Sequence, residues 1–248
     1  MKILVVGEGC RDIFNYGVCN RLCPEAPVPV FNSIRTVENG GMAINVQQNL
    51  LQLGASVELL TNNNWKDITK TRFIDQRSNH MFMRLDCNDN KYRKRNARTK
   101  IKNIDYEKYD AIIISDYNKG FLTEEDIYFI SSRHDLVFLD TKKVLGSWCE
   151  KTTFIKINNY EYEHTAAHKL ECDIKEKMII TLGSDGARYN GIVYPVPAVD
   201  IKDVSGAGDT FIAALTVKYI ETRSIGESIT FANHCATQVV QKPGVSVI

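Results

Sequence analysis

Residues 203–211 read Asp-Val-Ser-Gly-Ala-Gly-Asp-Thr-Phe and run directly into an apolar segment. Gly206, Ala207 and Gly208 put three small residues where a helix begins. The backbone N–H groups of a first helical turn lack intrahelical partners, so such a turn binds anions with help from the helix dipole. Asp209 follows in that turn, beside the anion site. A carboxylate next to an anion hole suits phosphoryl transfer to a hydroxyl. The base takes the hydroxyl proton while the amides hold charge on the moving group. The plain alternative, a Gly-rich helix cap, is disfavoured by the length of D-x-S-G-A-G-D. Two other phosphate devices are missing. There is no G-x-x-x-x-G-K-[ST], which excludes a P-loop, and Gly7-Glu8-Gly9 is followed by Asp12 where a dinucleotide turn needs glycine.

Weaker signals accompany this one. Gly40-Gly41-Met-Ala-Ile-Asn45 is a second small-residue helix entrance, where a ligand can approach the backbone closely. Asn45, one turn in, has the reach to bond a sugar hydroxyl, and a solvated Asn near an N-cap is an equal reading. Asn158 and Glu161 are three apart on one helix face. They suit the waters and phosphates around Mg²⁺, although a surface helix cap is the heavier alternative. Thr181-Leu-Gly183-Ser-Asp-Gly186 fits a loop under a nucleotide or an ordinary turn. His164 and His168, with Cys172 one turn on, have metal-like spacing but no fourth partner, which favours a solvated helix face. The basic run 91–102 has only Tyr92 to stack on a base. It reads as a solvated lid loop rather than a nucleic-acid surface, with contact to a phosphate-bearing substrate as a third reading.

The elements that must position these residues are legible as short apolar runs. Lys2–Gly7, Ser56–Thr61 and Ala111–Ser115 predict buried strands. Leu136–Asp140, Thr153–Ile157 and Met178–Leu182 predict further strands. Helices are predicted from Gly40-Gly41 to Leu53, over 159–171, and over about 207–222 and 225–241. Thr123 and Asp126 form a weak capping box. Asn190-Gly191 predicts a hairpin. Strands alternating with helices argue an α/β fold with a mostly parallel central sheet flanked by helices. Pro24–Phe31 holds three prolines and reads as an edge strand or flap. With the β-like runs of the 70s and 80s it predicts a small β lid, from about 12–37 and 71–100, on a single domain spanning 1–248. A balance of 31 basic against 30 acidic residues gives a net charge of +1, so no nucleic-acid or membrane field is indicated. No apolar run approaches the ~20 residues of a membrane span. Seven scattered cysteines without C-x-x-C read as reduced thiols. The expectation is a cytoplasmic protein.

Together these motifs resemble the ribokinase-like (PfkB) family of carbohydrate kinases. Gly40-Gly41 with Asn45 looks like one family signature and Asp203–Ala214 like the other. Further segments look like the heptose-7-phosphate kinases within that family. They are GVCNRLCPEAPVPVF (17–31), MRLD (83–86), SDYNKG (115–120), LDTKK (139–143), Asn158 with Glu161, and FANHCATQVVQKPG (231–244). The resemblance implies a ribokinase-like fold with a β lid over a sugar. It also implies transfer of the γ-phosphoryl of ATP to an anomeric hydroxyl. Asp209 would be the base, and Gly206, Ala207 and Gly208 the anion hole. Asp12, Gly40, Gly41 and Asn45 would hold the sugar, and Arg84 and Lys142 would also meet substrate. Asn158 and Glu161 would manage Mg²⁺ and phosphate, Glu161 through water. Thr181, Gly183, Gly186 and Asn233 would line the nucleotide. Asp203 and Ser205 match positions behind the anion hole where many members hold a monovalent cation such as K⁺. A homodimer joined through the lids is also implied. The alternatives are a kinase of another sugar, or a non-catalytic relative that binds a sugar phosphate or nucleotide.

Overall fold

Alternating apolar residues decide the layering. In β1 (Lys2–Gly7), Ile3 and Val5 point to one face of the sheet and Leu4 and Val6 to the other, and each set joins a separate core. The computed structural model describes residues 1–90, 97–165, 170–242, 244 and 246–248. Eight strands form the main sheet. Besides β1 they are β4 (Ser56–Leu60), β7 (Ala111–Asp116), β8 (Val137–Thr141), β9 (Phe154–Asn158), β10 (Met178–Thr181), β11 (Ala187–Tyr189) and β12 (Ile192–Tyr194). Their order is β12-β11-β10-β9-β8-β7-β1-β4, parallel from β4 through β10, with β11 and β12 antiparallel. The β11–β12 hairpin turns at Asn190-Gly191, both with positive φ, as the sequence predicts.

Helices α1 (Ala43–Gln52), α6 (Ala207–Thr222) and α7 (Ile225–Val240) cover one face, where Phe211, Ile212, Leu215 and Ile229 meet Ile3, Ile113 and Phe138. Helices α2 (Ala97–Lys102), α3 (Glu124–Ser131), α4 (Asn159–His164) and α5 (Cys172–Glu176) belong to the other. There Ile101, Ile127 and Ile174 pack with Leu4, Ile112 and Leu139. The capping box at Thr123 and Asp126 is formed. No helix among the described residues is long and apolar enough to cross a membrane, and all seven cysteines are free.

A second sheet, ordered β3-β2-β5-β6, consists of β2 (Gly9–Leu22), β3 (Pro29–Met42), β5 (Thr69–Asp75) and β6 (Met81–Cys87). β3 lies at its edge, where its leading proline removes no ladder bond. The strands extend beyond 12–37 at both ends, and the later part of the lid sheet stops at Cys87 rather than at 100. The reason is α2: its Ala97 and Ile101 are buried on the main sheet, while its lysines and Arg98 face outward. Residues 91–96 of the basic run and His168 lie outside the described residues. Three further expectations are corrected. β4 is an edge strand and only half-buried, since β1 flanks it on one side alone. Gly40 and Gly41 close β3 by pairing with Arg11 and Cys10, and α1 starts at Ala43. Helix α4 ends at His164, and Cys172 opens the separate α5.

Candidate active site

Helix α6 begins at a point of forced geometry. Its N-cap, Gly206, has φ +84°, a left-handed conformation that costs other residues about 1–2 kcal/mol. Gly208 and Asp209 follow in the first turn, where amides have no intrahelical acceptor. A Cβ on Gly208 would come 2.8 Å from Lys156 Nζ, so the bare glycine lets that ammonium reach the helix entrance. Lys156 is buried and pairs at 2.8 Å with Asp140 Oδ2, its register partner on the neighbouring strand. The other Asp140 oxygen is buried with no hydrogen-bond partner among the described residues.

The Asp209 carboxylate is buried and held from two sides. Asn45 Nδ2 donates to its Oδ2 at 2.9 Å, and the Tyr117 hydroxyl donates to its Oδ1 at 2.8 Å. Burial pushes its pKa up to about 6 against the opposing pull of these two donors; Asp140 adds to the rise and Lys156 opposes it. A carboxylate titrating near neutrality in a cleft is suited to proton abstraction.

On one side of α6's entrance lies a cavity of about 390 Å³ that contains Asp12, Arg84, Lys142, Ser205, Gly206 and Asp209. The lid supplies its roof through the two-residue period of a strand. Register places Arg72 opposite Arg84 and Lys70 opposite Asp86, while β2 presents Asp12 on the same side. Asp12 accepts a 2.8 Å bond from Arg72, and its carboxylate packs against Gly41, where a Cβ would lie 2.5 Å away. Arg84 grips Asp86 with two bonds and holds it well below the usual carboxylate range, with help from Lys70. Asp89 bridges Lys70 of the lid and Lys119 of the β7–α3 loop. Burial opposes the charge on Lys142, but Asp140 and Glu161 outweigh it and raise the lysine's pKa.

On the other side lies a cavity of about 290 Å³. Thr181, Gly183, Gly186 and Asn233 line it as grouped in the sequence, together with Ala207 and Gly208. Val196, Pro197, Val199 and Val240 give it apolar walls suited to a flat ring system. The α6 entrance is therefore shared by a charged cavity and an apolar one.

Some expected residues stand apart. Gly40 lies opposite Arg11 and packs on Ile44, outside both cavities. Asn158 and Glu161 line neither cavity. They cap α4 reciprocally, as the heavier alternative holds, while Glu161 also binds Lys142. Asp203 accepts from the Ser205 amide at 2.8 Å. No cluster of three or more metal-binding side chains occurs among the described residues. Sequence reasoning passed over Tyr117, Lys156, Asp140, Lys70, Arg72 and Lys119. Lys156 had a usable signal, a charge inside the apolar run Phe154–Ile157.

A family model described as pfkB family carbohydrate kinase matches residues 64–247. The chain belongs to that family. This pfkB kinase, a phosphotransferase, is 32% identical to "Bifunctional protein HldE" of Helicobacter pylori (strain Shi470) over 98% of its length. It is 29% identical over 99% of its length to the protein of the same name from a Nitratiruptor species. It spans 63% and 62% of those relatives, just under two thirds. Its fold is ribokinase-like. Methanocaldococcus jannaschii nucleoside kinase superposes with a TM-score of 0.72 at 18% identity, covering 98% of this chain and 93% of that one. Escherichia coli phosphofructokinase-2 in complex with potassium gives 0.70 at 15% identity, covering 99% and 94%.

Proposed function

We propose that this kinase moves the γ-phosphoryl group of ATP to the anomeric hydroxyl of a sugar phosphate, and that its acceptor is heptose 7-phosphate. The observation that carries this reading is the single helix entrance shared by two unlike cavities, with a buried carboxylate on the charged side. The apolar cavity takes the adenine nucleotide. The charged cavity takes the sugar, with Asp12 toward its hydroxyls and Asn45 behind Asp209. Asp209 withdraws the hydroxyl proton, and the first-turn amides of α6 with Lys156 hold the phosphoryl charge. Lys70, Arg72, Arg84, Lys119 and Lys142 line the acceptor cavity, each paired with a carboxylate at its edge, and a phosphate on the sugar would draw on their donors. The heptose assignment draws support from the segments that resemble heptose-7-phosphate kinases.

A magnesium ion carried on the nucleotide phosphates fits the donors present. Asp140 offers a buried oxygen without a partner among the described residues, and Glu161 lies beyond Lys142 for contact through water. When bound, it neutralises charge on the β and γ phosphates. Asp203 and Ser205 are the place for a monovalent cation in the same proposal. The lid completes the reading as a dimer contact: Phe82, Met83 and Leu85 of β6 are exposed, and Phe31 meets both Phe73 and Phe82 edge-on.

The test is ATP turnover, followed by phosphorus NMR of the product, over heptose 7-phosphate, fructose 6-phosphate, ribose and fructose. Selective formation of a 1,7-bisphosphate is expected, and it should fail in excess chelator. Preference for an unphosphorylated sugar would overturn the acceptor assignment.

A further inference from the structure

Asp209 is a rotor on the end of a side chain, and a base must present one oxygen to one hydroxyl. Two donors from different elements fix its plane: Asn45 from α1 on Oδ2 and Tyr117 from the β7–α3 loop on Oδ1. Asn45 belongs to a motif visible in the sequence, whereas nothing in the sequence assigns Tyr117 a role. We propose that Tyr117 is a positioning residue for Asp209, orienting its carboxylate and keeping it ionised until the acceptor hydroxyl arrives. This inference rests on the reading of Asp209 as the base.

The loop that carries Tyr117 is built for that purpose. Asn118 and Gly120 both have positive φ, so its backbone leaves regular structure immediately after β7. The fully buried Glu8 holds it there. Glu8 Oε2 accepts from the Tyr117 amide at 2.8 Å, and Oε1 accepts from the amides of Lys119 at 3.1 Å and Phe121 at 3.2 Å. Three amides on one buried carboxylate leave the loop little freedom to swing the phenol away. The ring lies beneath Lys142, whose Nζ is 5.6 Å from its centroid. Burial and the nearby Asp209 charge push the phenol's pKa well above its ordinary value, so it remains a donor throughout the working range.

Other titratable groups also face Asp209. They are Asp12 and the Cys10 thiol from β2, Asp140 from β8 with Lys142 just beyond, and Lys156 from β9. Tyr117 differs from these in being an uncharged donor in direct contact. Its loss alters the stability of the Asp209 anion without changing the charge of the site. A hydrogen bond to a charged group contributes ~1.5–3 kcal/mol, which corresponds to a shift of about one to two pH units.

Tyr117→Phe keeps the ring under Lys142 and removes only the hydroxyl. Its acid limb in kcat/KM against pH should move up by about one unit or more, with the rate largely recovered at high pH. The same shift should appear in the ¹³C carboxyl resonance of Asp209 in protein without substrate, identified by its loss in Asp209→Asn. Without any change at Tyr117, its ring Cζ resonance should follow the Asp209 titration and stop doing so in Asp209→Asn. An Asp209 carboxyl that titrates unchanged in Tyr117→Phe overturns the proposal. If that variant does not fold, a Cζ resonance indifferent to the Asp209 titration overturns it. A carboxyl shift in a protein that phosphorylates none of the sugars would uphold the Tyr117–Asp209 coupling and refute the proposed reaction instead.

Discussion

Asp209 is held in a state that disfavours its own charge. Its pKa rises from an unfolded value of 3.8 to about 6, so the folded state penalises the ionised form. The penalty is absent below pH ~4, grows as pH rises through about 6 and is complete above it. At neutral pH it amounts to about 2–3 kcal/mol. Asp209→Asn should therefore unfold at a higher temperature than the parent at pH 8. The gap should close as pH falls toward 4, and thermal melts across that range would show it. The same substitution should lower turnover by ~10²–10⁴-fold, the usual contribution of a positioned base. An unchanged rate would remove Asp209 from the mechanism. Asp209 and Asn45 were legible because each lies in a compact run of small residues. Tyr117 and Lys156 were not, because their partners are fixed by tertiary placement. Lys156 meets Asp140 only through the register of two parallel strands, sixteen residues apart in sequence, which no local pattern encodes.

At the scale of elements, the lid shows how one strand period serves two surfaces. Asp12, Lys70, Arg72 and Arg84 face the cavity, while Phe73 and Met83, opposite each other in register, occupy the intervening positions. On β5 and β6, Lys70, Arg72 and Arg84 thus turn toward the cavity, while the alternate positions Phe73 and Met83 turn away from it. Light scattering at micromolar concentration should give a dimer mass, and charged substitutions Val30→Glu and Phe82→Glu should reduce it to a monomer mass. A parent protein that is already monomeric would refute the paired lids. The existence of the lid was readable from prolines and alternating residues, but its limits were not. In residues 97–102 the apolar pair Ala97 and Ile101, one helical turn apart, is hidden among basic residues. Only the main-sheet core explains why that segment leaves the lid. The exposure of β4 was likewise invisible, since strand order decides which apolar run has one neighbour instead of two.

Across the whole molecule, strand order gathers distant residues at one sheet end: Glu8 after β1, the Tyr117 loop after β7, Lys142 after β8 and the entrance of α6. The two cavities share that entrance as a common wall, and this has a stereochemical consequence. On the proposed reading, donor and acceptor oxygens approach opposite sides of one phosphorus atom with no protein nucleophile interposed. Transfer is then a single in-line displacement through a ternary complex. ATP made chiral at its γ-phosphorus with oxygen isotopes should yield a product of inverted configuration. Retention would mean two displacements and a phosphorylated side chain on the path, and would turn a side chain at that helix end, Asp209 or Ser205, from bystander or base into nucleophile.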